Sequence, residues 1–227
     1  MQVFNSLGRE LRIFEPREPG AVSIYVCGPT VQSAPHVGHG RQAVAFDVIR
    51  RYLTWRGFDV TFVTNITDVE DKIINAAADE GISTEEVAAR ATSQFLDAYE
   101  RLGVLPADHL LYATAHIPEM LEMIGRLIER GHAYPAGGDV YFAVRSFEGY
   151  GKLSGRNVDE LVAGARIDPG EHKRDPADFA LWKSSKEGEP AWDSPWGPGR
   201  PGWHIECSAM SEKQLGFGFD IHGGGLD

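Results

Sequence analysis

The sequence predicts an α/β fold with a parallel sheet, and three successive segments near the N-terminus support that prediction. Residues 22–26 are mostly β-branched or aromatic and end at a Cys-Gly-Pro sequence, which is typical of a buried strand. Residues 44–53 repeat apolar side chains every three or four positions, as one face of a helix does, and residues 60–64 form a second strand. Strand, helix and strand in direct succession indicate a βαβ unit, whose strands run parallel.

Two more helices and a hairpin are predicted next along the chain. Ser83 and Glu86 form a capping-box pattern, which predicts a helix from there toward Leu102. Residues 117–128 carry apolar side chains at helical spacing. Residues 140–143 follow a Gly-Gly-Asp turn and are expected to be a strand of a small hairpin.

The character of the sequence changes between residues 146 and 202, where Gly, Pro, Lys and Trp become frequent and periodicity fades. Such a long irregular stretch predicts an insert or a set of functional loops. Regular patterns resume with a predicted helix at residues 205–215 and a predicted strand at residues 219–222, followed by three glycines.

Composition excludes several classes of protein. The chain has 227 residues, of which 42% are hydrophobic and 24% charged, as in ordinary soluble globular proteins rather than disordered ones. No apolar run approaches the roughly 18 residues of a membrane helix, and the first residues do not resemble a signal peptide. The net charge of −11 argues against non-specific coating of nucleic acid but leaves a local basic site possible.

A His-Val-Gly-His-Gly sequence follows the first predicted strand and opens the first predicted helix. Helix N-termini favour anions, and Gly38 and Gly40 let a ligand approach the backbone. His36 and His39 could then donate hydrogen bonds to phosphate oxygens. A polar loop with two ordinary surface histidines is the alternative that spacing alone leaves open.

Two further features allow more than one interpretation. Cys27 and Cys207 are too far apart for a local zinc-finger spacing, so a disulfide, a metal site and buried thiols all remain open. The acidic residues Asp68, Glu70 and Asp71 could suggest a metal site or a general base. We interpret them instead as charges of a solvated loop or a helix start.

Seven motifs, in order, resemble the amino-terminal part of cysteinyl-tRNA synthetases. They are Tyr-Val-Cys-Gly-Pro-Thr-Val at 25–31, His-Val-Gly-His-Gly-Arg at 36–41, Asn-Ile-Thr-Asp-Val-Glu-Asp-Lys at 65–72, Tyr-Gly-Lys-Leu-Ser at 150–154, Asp-Phe-Ala-Leu-Trp-Lys at 178–183, Pro-Gly-Trp-His-Ile-Glu-Cys-Ser at 201–208, and His-Gly-Gly-Gly at 222–225. The resemblance extends over essentially the whole chain.

The resemblance implies a Rossmann-type class I synthetase catalytic domain interrupted by a connective insert. We expect its first half at residues 1–112, the insert at 113–200 and the start of its second half at 201–227. Such an enzyme activates L-cysteine with ATP, with Mg²⁺ present, and transfers the cysteine to tRNA(Cys). A cytoplasmic monomer that binds no membrane is expected.

The resemblance also implies roles for individual residues. His36 and His39 match the family's "HIGH" element and are expected to be catalytic, contacting the ATP phosphates. Residues implied to bind ATP are His36, Gly38, His39, Gly225 and Asp227. Residues implied to line the cysteine pocket are Gly28, Thr67, Trp203 and His222. Trp203 could equally be an ordinary core residue. The sequence departs from the family pattern at Val37, where isoleucine is usual, and at Gln32 and Ser33, where Tyr and Asp are common.

For the two cysteines, the resemblance implies a zinc site. Cys27 and Cys207 would supply two ligands, and a histidine and a glutamate are expected beyond Asp227. Zn²⁺ is thiophilic and could bind the substrate sulfur, which serine lacks. Discrimination by a metal–sulfur bond could therefore replace editing.

Two alternatives remain from the sequence. The ligase that joins cysteine to the amino sugar of mycothiol resembles the chain around both cysteines and the histidine motif, although Lys72 and His222 favour the synthetase. A truncated, non-catalytic module that binds nucleotide or tRNA is also possible, because the family's Lys-Met-Ser-Lys-Ser sequence does not occur here. We expect a chain ending at Asp227 to aminoacylate poorly.

Overall fold

The computed structural model describes residues 1–159 and 172–225. Its strands, in chain order, are β1 (Gln2–Asn5), β2 (Glu10–Ile13), β3 (Ala21–Val26), β4 (Asp59–Ile66), β5 (His109–Tyr112), β6 (Ala133–Ala136), β7 (Asp139–Phe142), β8 (Phe179–Ser184), β9 (Gly199–Pro201) and β10 (Ile221–Gly223). Its α-helices are α1 (Val37–Trp55), α2 (Asp71–Glu80), α3 (Thr84–Arg101), α4 (Ile117–Glu129) and α5 (Trp203–Leu215).

The chain divides into two compact units. The parallel-sheet unit contains Pro16–Met120 and Glu206–Gly225, and the antiparallel-sheet unit contains Met1–Glu15 and Leu121–Ile205. The divisions fall within α4 and α5 and just after the β1–β2 hairpin. Within the described ranges, no helix is long and apolar enough to cross a bilayer.

The parallel-sheet unit has four strands in the order β10-β3-β4-β5, and every neighbouring pair is parallel. Helix α1 connects β3 to β4, so the predicted βαβ unit is confirmed. The sheet core is built from fully buried apolar side chains such as Ile24 and Val63. A second apolar cluster, which includes Ile66, Ile73 and Phe95, packs α2 and α3 beside the sheet.

The antiparallel-sheet unit contains the four-stranded sheet β6-β7-β8-β9 and the separate β1–β2 hairpin. The predicted strand at 140–143 is confirmed as β7, which pairs with β6 across a tight turn. The prediction that 146–202 is irregular is wrong in part, because β8 and β9 lie inside it. Strand β8 pairs with β7 and buries the side chains of Leu181 and Trp182, and β9 pairs with β8; neither strand has a long repeating pattern.

Helix boundaries follow the local signals closely. Ser83 caps α3, and its side chain and that of Glu86 exchange the two hydrogen bonds of a capping box. Glu70 caps α2 and Asp71 lies in its first turn, which confirms the helix-start interpretation for these two carboxylates. Asp68 instead accepts hydrogen bonds from the backbone and side chain of Thr114.

Candidate active site

The predicted site residues of the parallel-sheet unit gather at the carboxyl ends of its strands. Cys27 directly follows β3 and Thr67 directly follows β4, while His222 lies in β10, opposite Tyr25. The Cys27 N–H donates to the Gly223 carbonyl at 2.9 Å, which ties the ends of β3 and β10 together. Ligands of open α/β sheets bind at this edge.

The two cysteine thiols lie against each other, although they are far apart in sequence. Cys27 and Cys207 form a side-chain hydrogen bond, and that bond together with burial raises the pKa of the Cys207 thiol. His222 Nε2 lies 3.6 Å from Cys27 Sγ. Desolvation lowers the pKa of His222, against a smaller opposite effect of Cys207. The structure therefore brings together both predicted metal ligands and one predicted pocket residue.

A buried asparagine connects the two cysteine segments. Asn65, in β4, has no exposed surface. Its Oδ1 accepts hydrogen bonds from the Tyr25 hydroxyl and the Gly28 N–H, each at 3.0 Å, and from Cys207 Sγ at 3.6 Å. Its Nδ2 donates to Thr67 Oγ1 at 3.3 Å. One amide thus contacts the residue after Cys27 and the sulfur of Cys207.

The chain of hydrogen bonds continues from Thr67 to a buried carboxyl group. The Thr67 hydroxyl donates to Glu206 Oε2 at 2.7 Å. Glu206 has no exposed surface, and burial raises the pKa of its carboxyl well above the usual range. Its Oε1 has no hydrogen-bond partner among the residues that the structure describes. The predicted pocket residue Thr67 is therefore buried, with its hydroxyl engaged on both sides.

The two predicted catalytic histidines form the first turn of α1. His36 is the N-cap, and its Nδ1 accepts from the Gly38 N–H at 3.1 Å, while His39 Nδ1 accepts from the His36 N–H at 3.2 Å. The rings stack with centroids 3.8 Å apart. Because each Nδ1 is an acceptor, a neutral ring carries its proton on Nε2 and can donate it outward.

The environment of His39 keeps its ring neutral. It packs edge-on against Phe95 with centroids 4.8 Å apart, and desolvation, then the neighbouring His36, lowers its pKa. The first turn of α1 carries no acidic residue, so backbone N–H groups and two ring N–H groups meet at a helix N-terminus. This arrangement suits an anion.

Comparison with known proteins decides the family. A model of the tRNA synthetases class I (C) catalytic domain matches residues 13–227. The chain belongs to this family. The resemblance and the Rossmann-type fold that the motifs imply are thereby confirmed.

Relatives of this synthetase domain are cysteine–tRNA ligases. The ligase of Desulforudis audaxviator is 56% identical over the whole chain, which covers 48% of that protein. The ligase of Nitratidesulfovibrio vulgaris (strain DSM 19637) is 58% identical over 228 aligned residues, covering the whole chain and 47% of that protein. The chain therefore spans about half the length of the curated relatives it matches.

Solved structures of methionyl-tRNA synthetase share the fold. The Mycobacterium tuberculosis enzyme in complex with methionyl-adenylate superposes with a TM-score of 0.65 at 17% identity, covering 91% of this chain and 51% of that one. A second structure of that enzyme, also with methionyl-adenylate, gives a TM-score of 0.62 at 18% identity, covering 88% and 47%.

Glycines of the synthetase domain allow close approaches that side chains would prevent. A Cβ on Gly28 would lie 1.6 Å from the Asn65 carbonyl oxygen, so this glycine lets β3 and β4 stay in contact where they end. A Cβ on Gly38 would lie 2.9 Å from the His36 ring. Gly225 lies exposed after β10, whereas Asp227 is outside the described residues.

Trp203 belongs to the antiparallel-sheet unit, where it begins α5. Its side chain is 45% exposed, which does not fit an ordinary core residue. Its ring lies tilted against that of His204, with centroids 5.1 Å apart. Its role in a cysteine pocket stays a prediction.

The donor set of the synthetase domain fits a thiophilic metal ion in part. Cys27 and Cys207 present two adjacent thiols, the soft ligands that Zn²⁺ prefers. Across residues 1–159 and 172–225, no cluster of three or more histidine, cysteine or acidic side chains is arranged to hold a metal. The two cysteines fit as half of a tetrahedral set.

Sequence reasoning missed four residues of this synthetase site. Tyr25, Asn65 and Glu206 form the hydrogen-bonded chain, and Gln42 Nε2 donates to the Cys27 carbonyl at 2.9 Å. A signal in the sequence could have found two of the four. Asn65 interrupts an otherwise β-forming apolar segment, and Glu206 stands between an isoleucine and a cysteine in a predicted helix.

Proposed function

We propose that this chain is the catalytic part of a cysteine–tRNA ligase. It would bind ATP with Mg²⁺ and L-cysteine, and the cysteine carboxylate would attack the α-phosphorus to form cysteinyl-adenylate and release pyrophosphate. A hydroxyl of the tRNA(Cys) 3′ end would then take the cysteinyl group and release AMP. The observation that carries this proposal is the pair of adjacent thiols, Cys27 and Cys207, at the ligand-binding edge of a class I synthetase sheet.

His36 and His39 are proposed to act on the ATP phosphates. Their Nε2–H groups and the N-terminus of α1 would donate hydrogen bonds to the oxygens on which negative charge increases in the adenylation transition state. The depressed pKa of His39 keeps this donor neutral at physiological pH. Their stacking and backbone hydrogen bonds hold both rings in place before substrate binds.

Gly38, Gly225 and Asp227 are proposed to bind ATP with the histidines. Gly28, Thr67, Trp203 and His222 are proposed to shape the cysteine pocket. Thr67 would do so from a buried position, because its hydroxyl is engaged by Asn65 and Glu206.

A zinc ion is part of the proposal. Cys27 and Cys207 would hold it, and a histidine and a glutamate beyond Asp227 would complete its ligands. When bound, Zn²⁺ supplies a bond to the substrate sulfur that serine cannot form. The mutual hydrogen bond of the two thiols supports this role, because it places both sulfurs next to each other.

The organisation of the enzyme is also proposed. Residues 1–112 and 201–227 would belong to the catalytic domain and residues 113–200 to the connective insert. We further propose a cytoplasmic monomer.

Cysteine-dependent ATP–pyrophosphate exchange by the complete gene product tests this proposal. We expect exchange with cysteine and not serine, and a loss of roughly 100-fold in His36→Ala, the cost typical of removing one transition-state donor. His132→Ala is the matched control, because His132 lies in the antiparallel-sheet unit and bonds Ser146. Transfer of cysteine to the amino sugar of mycothiol in preference to tRNA would favour the other ligase, and exchange that does not need cysteine would refute both.

A further inference from the structure

We propose that Asn65 is the positioning residue of the cysteine pair: its one amide oxygen ties the Cys27–Gly28 peptide to Cys207 and so sets the separation of the two sulfurs. This inference rests on the proposed function, because it assigns Asn65 a role in metal binding by that site. In this role Asn65 acts through the two cysteines, by its contacts to Gly28 and Cys207.

The peptide between Cys27 and Gly28 is clamped on both sides. The Gly28 N–H donates to Asn65 Oδ1 at 3.0 Å, and the Cys27 carbonyl accepts from Gln42 Nε2 at 2.9 Å. These two groups belong to one planar peptide unit. Holding both of them fixes the plane and therefore the direction in which the Cys27 side chain leaves the backbone.

The orientation of the Asn65 amide is itself determined by its neighbours. The Thr67 hydroxyl donates its only proton to Glu206, so it can only accept from Asn65 Nδ2. That contact turns Oδ1 toward the Gly28 N–H and the Tyr25 hydroxyl, both of which are donors. A flipped amide would set Nδ2 against the Gly28 N–H, donor against donor, and Oδ1 against the Thr67 oxygen, acceptor against acceptor.

The same chain of hydrogen bonds reaches the second cysteine. Glu206 precedes Cys207 in α5, and Cys207 Sγ lies 3.6 Å from Asn65 Oδ1. Asn65 is thus linked to Cys207 directly through the sulfur and indirectly through Thr67 and Glu206. The same Oδ1 accepts from the Gly28 N–H and the Tyr25 hydroxyl, so one buried side chain of β4 holds both cysteine segments.

Zinc affinity of the complete gene product, measured by competition with a chromophoric chelator, tests the inference. Removing residues that orient metal ligands typically costs 10- to 100-fold in affinity, and we expect this in Asn65→Leu. With Co²⁺ in place of zinc, we also expect its sulfur charge-transfer absorption to shift or weaken. The matched control is Asp47→Leu, which removes a buried acceptor of the Leu105 N–H in the same unit and should change zinc affinity less than about twofold.

Each outcome bears on the inference. Wild-type affinity and an unchanged Co²⁺ spectrum in Asn65→Leu would overturn it, as would equal losses in Asn65→Leu and Asp47→Leu. If Cys207→Ser binds zinc as the wild type does, the proposed metal site itself fails. If Asn65→Leu does not fold, Thr67→Val replaces it. That variant removes the hydrogen bond that orients the Asn65 amide and should weaken zinc about fivefold, and no change there would overturn the inference.

Discussion

Each unit of the molecule contains a buried polar cluster around one acceptor side chain. The two clusters differ in the chemical groups at their ends. In the antiparallel-sheet unit, Asp178 accepts from the Tyr134 hydroxyl at 2.7 Å, the Val144 N–H at 2.9 Å and the Asp175 N–H at 3.2 Å. In the parallel-sheet unit, Asn65 accepts from a tyrosine hydroxyl, a backbone N–H and a thiol.

The difference lies in what terminates each cluster. The Asp178 cluster ends in backbone groups, and Tyr134 completes it by accepting from the Arg174 N–H at 2.7 Å. The Asn65 cluster ends in two thiols and in a buried carboxyl whose Oε1 finds no partner within the described residues. A satisfied cluster stabilises the fold. A cluster with thiols and an unpaired carboxyl oxygen at its end stabilises the fold less, but it keeps those groups available for ligand binding.

The largest expected effect is a loss of folding stability when the acceptor of the Asp178 cluster is removed. Asp178→Ala leaves two buried donors and one half-buried donor without an acceptor, and we expect the free energy of unfolding to fall by about 3 kcal/mol. Urea unfolding measures this. Zinc affinity of the folded variant should stay unchanged, and a joint loss of stability and zinc affinity would break the comparison.

Thr67→Val tests the Asn65 cluster and is expected to have a smaller effect on stability. The variant keeps the shape but removes the hydroxyl between Asn65 and Glu206, so we expect a loss of about 1–2 kcal/mol in unfolding free energy. Zinc should also bind more weakly, because the Asn65 amide loses the contact that orients it. Thr92→Val, in α3, is the control that should leave zinc affinity intact. Equal zinc affinity in both variants would contradict the prediction.

The smallest expected effect concerns alkaline pH. Burial raises the pKa of Tyr134 to about 12 from an ordinary value of 10.0. The hydrogen bond from the Arg174 N–H lowers this pKa, and the hydrogen bond to Asp178 raises it. The folded state therefore keeps a proton that the unfolded state loses, so stability is full below pH 10.0 and declines as the pH rises toward 12. Tyr134→Phe should make this decline shallower in urea titrations. A decline of unchanged slope would assign it to other groups.

Local signals in the sequence determined much of the fold. The βαβ unit, the capping box at Ser83 and the ends of α4 depend on neighbours within a few residues, so a linear pattern contains them. Strands β8 and β9 were missed because their identity comes from partners elsewhere in the chain. For helix α2 only a possible start at Glu70 and Asp71 was recognised, since its short apolar face, Ile73 and Ala77, repeats only once.

The site divides in the same way. The histidine pair and the two cysteines were predicted from motifs, because the chemistry of each is carried by its own side chain. Asn65, Tyr25, Glu206 and Gln42 act through geometry, and their partners lie up to 142 residues away. The sequence by itself determined which reactive groups this synthetase domain carries. Only the tertiary structure decided how they are held, because hydrogen bonds between distant segments exist only once the strands have paired.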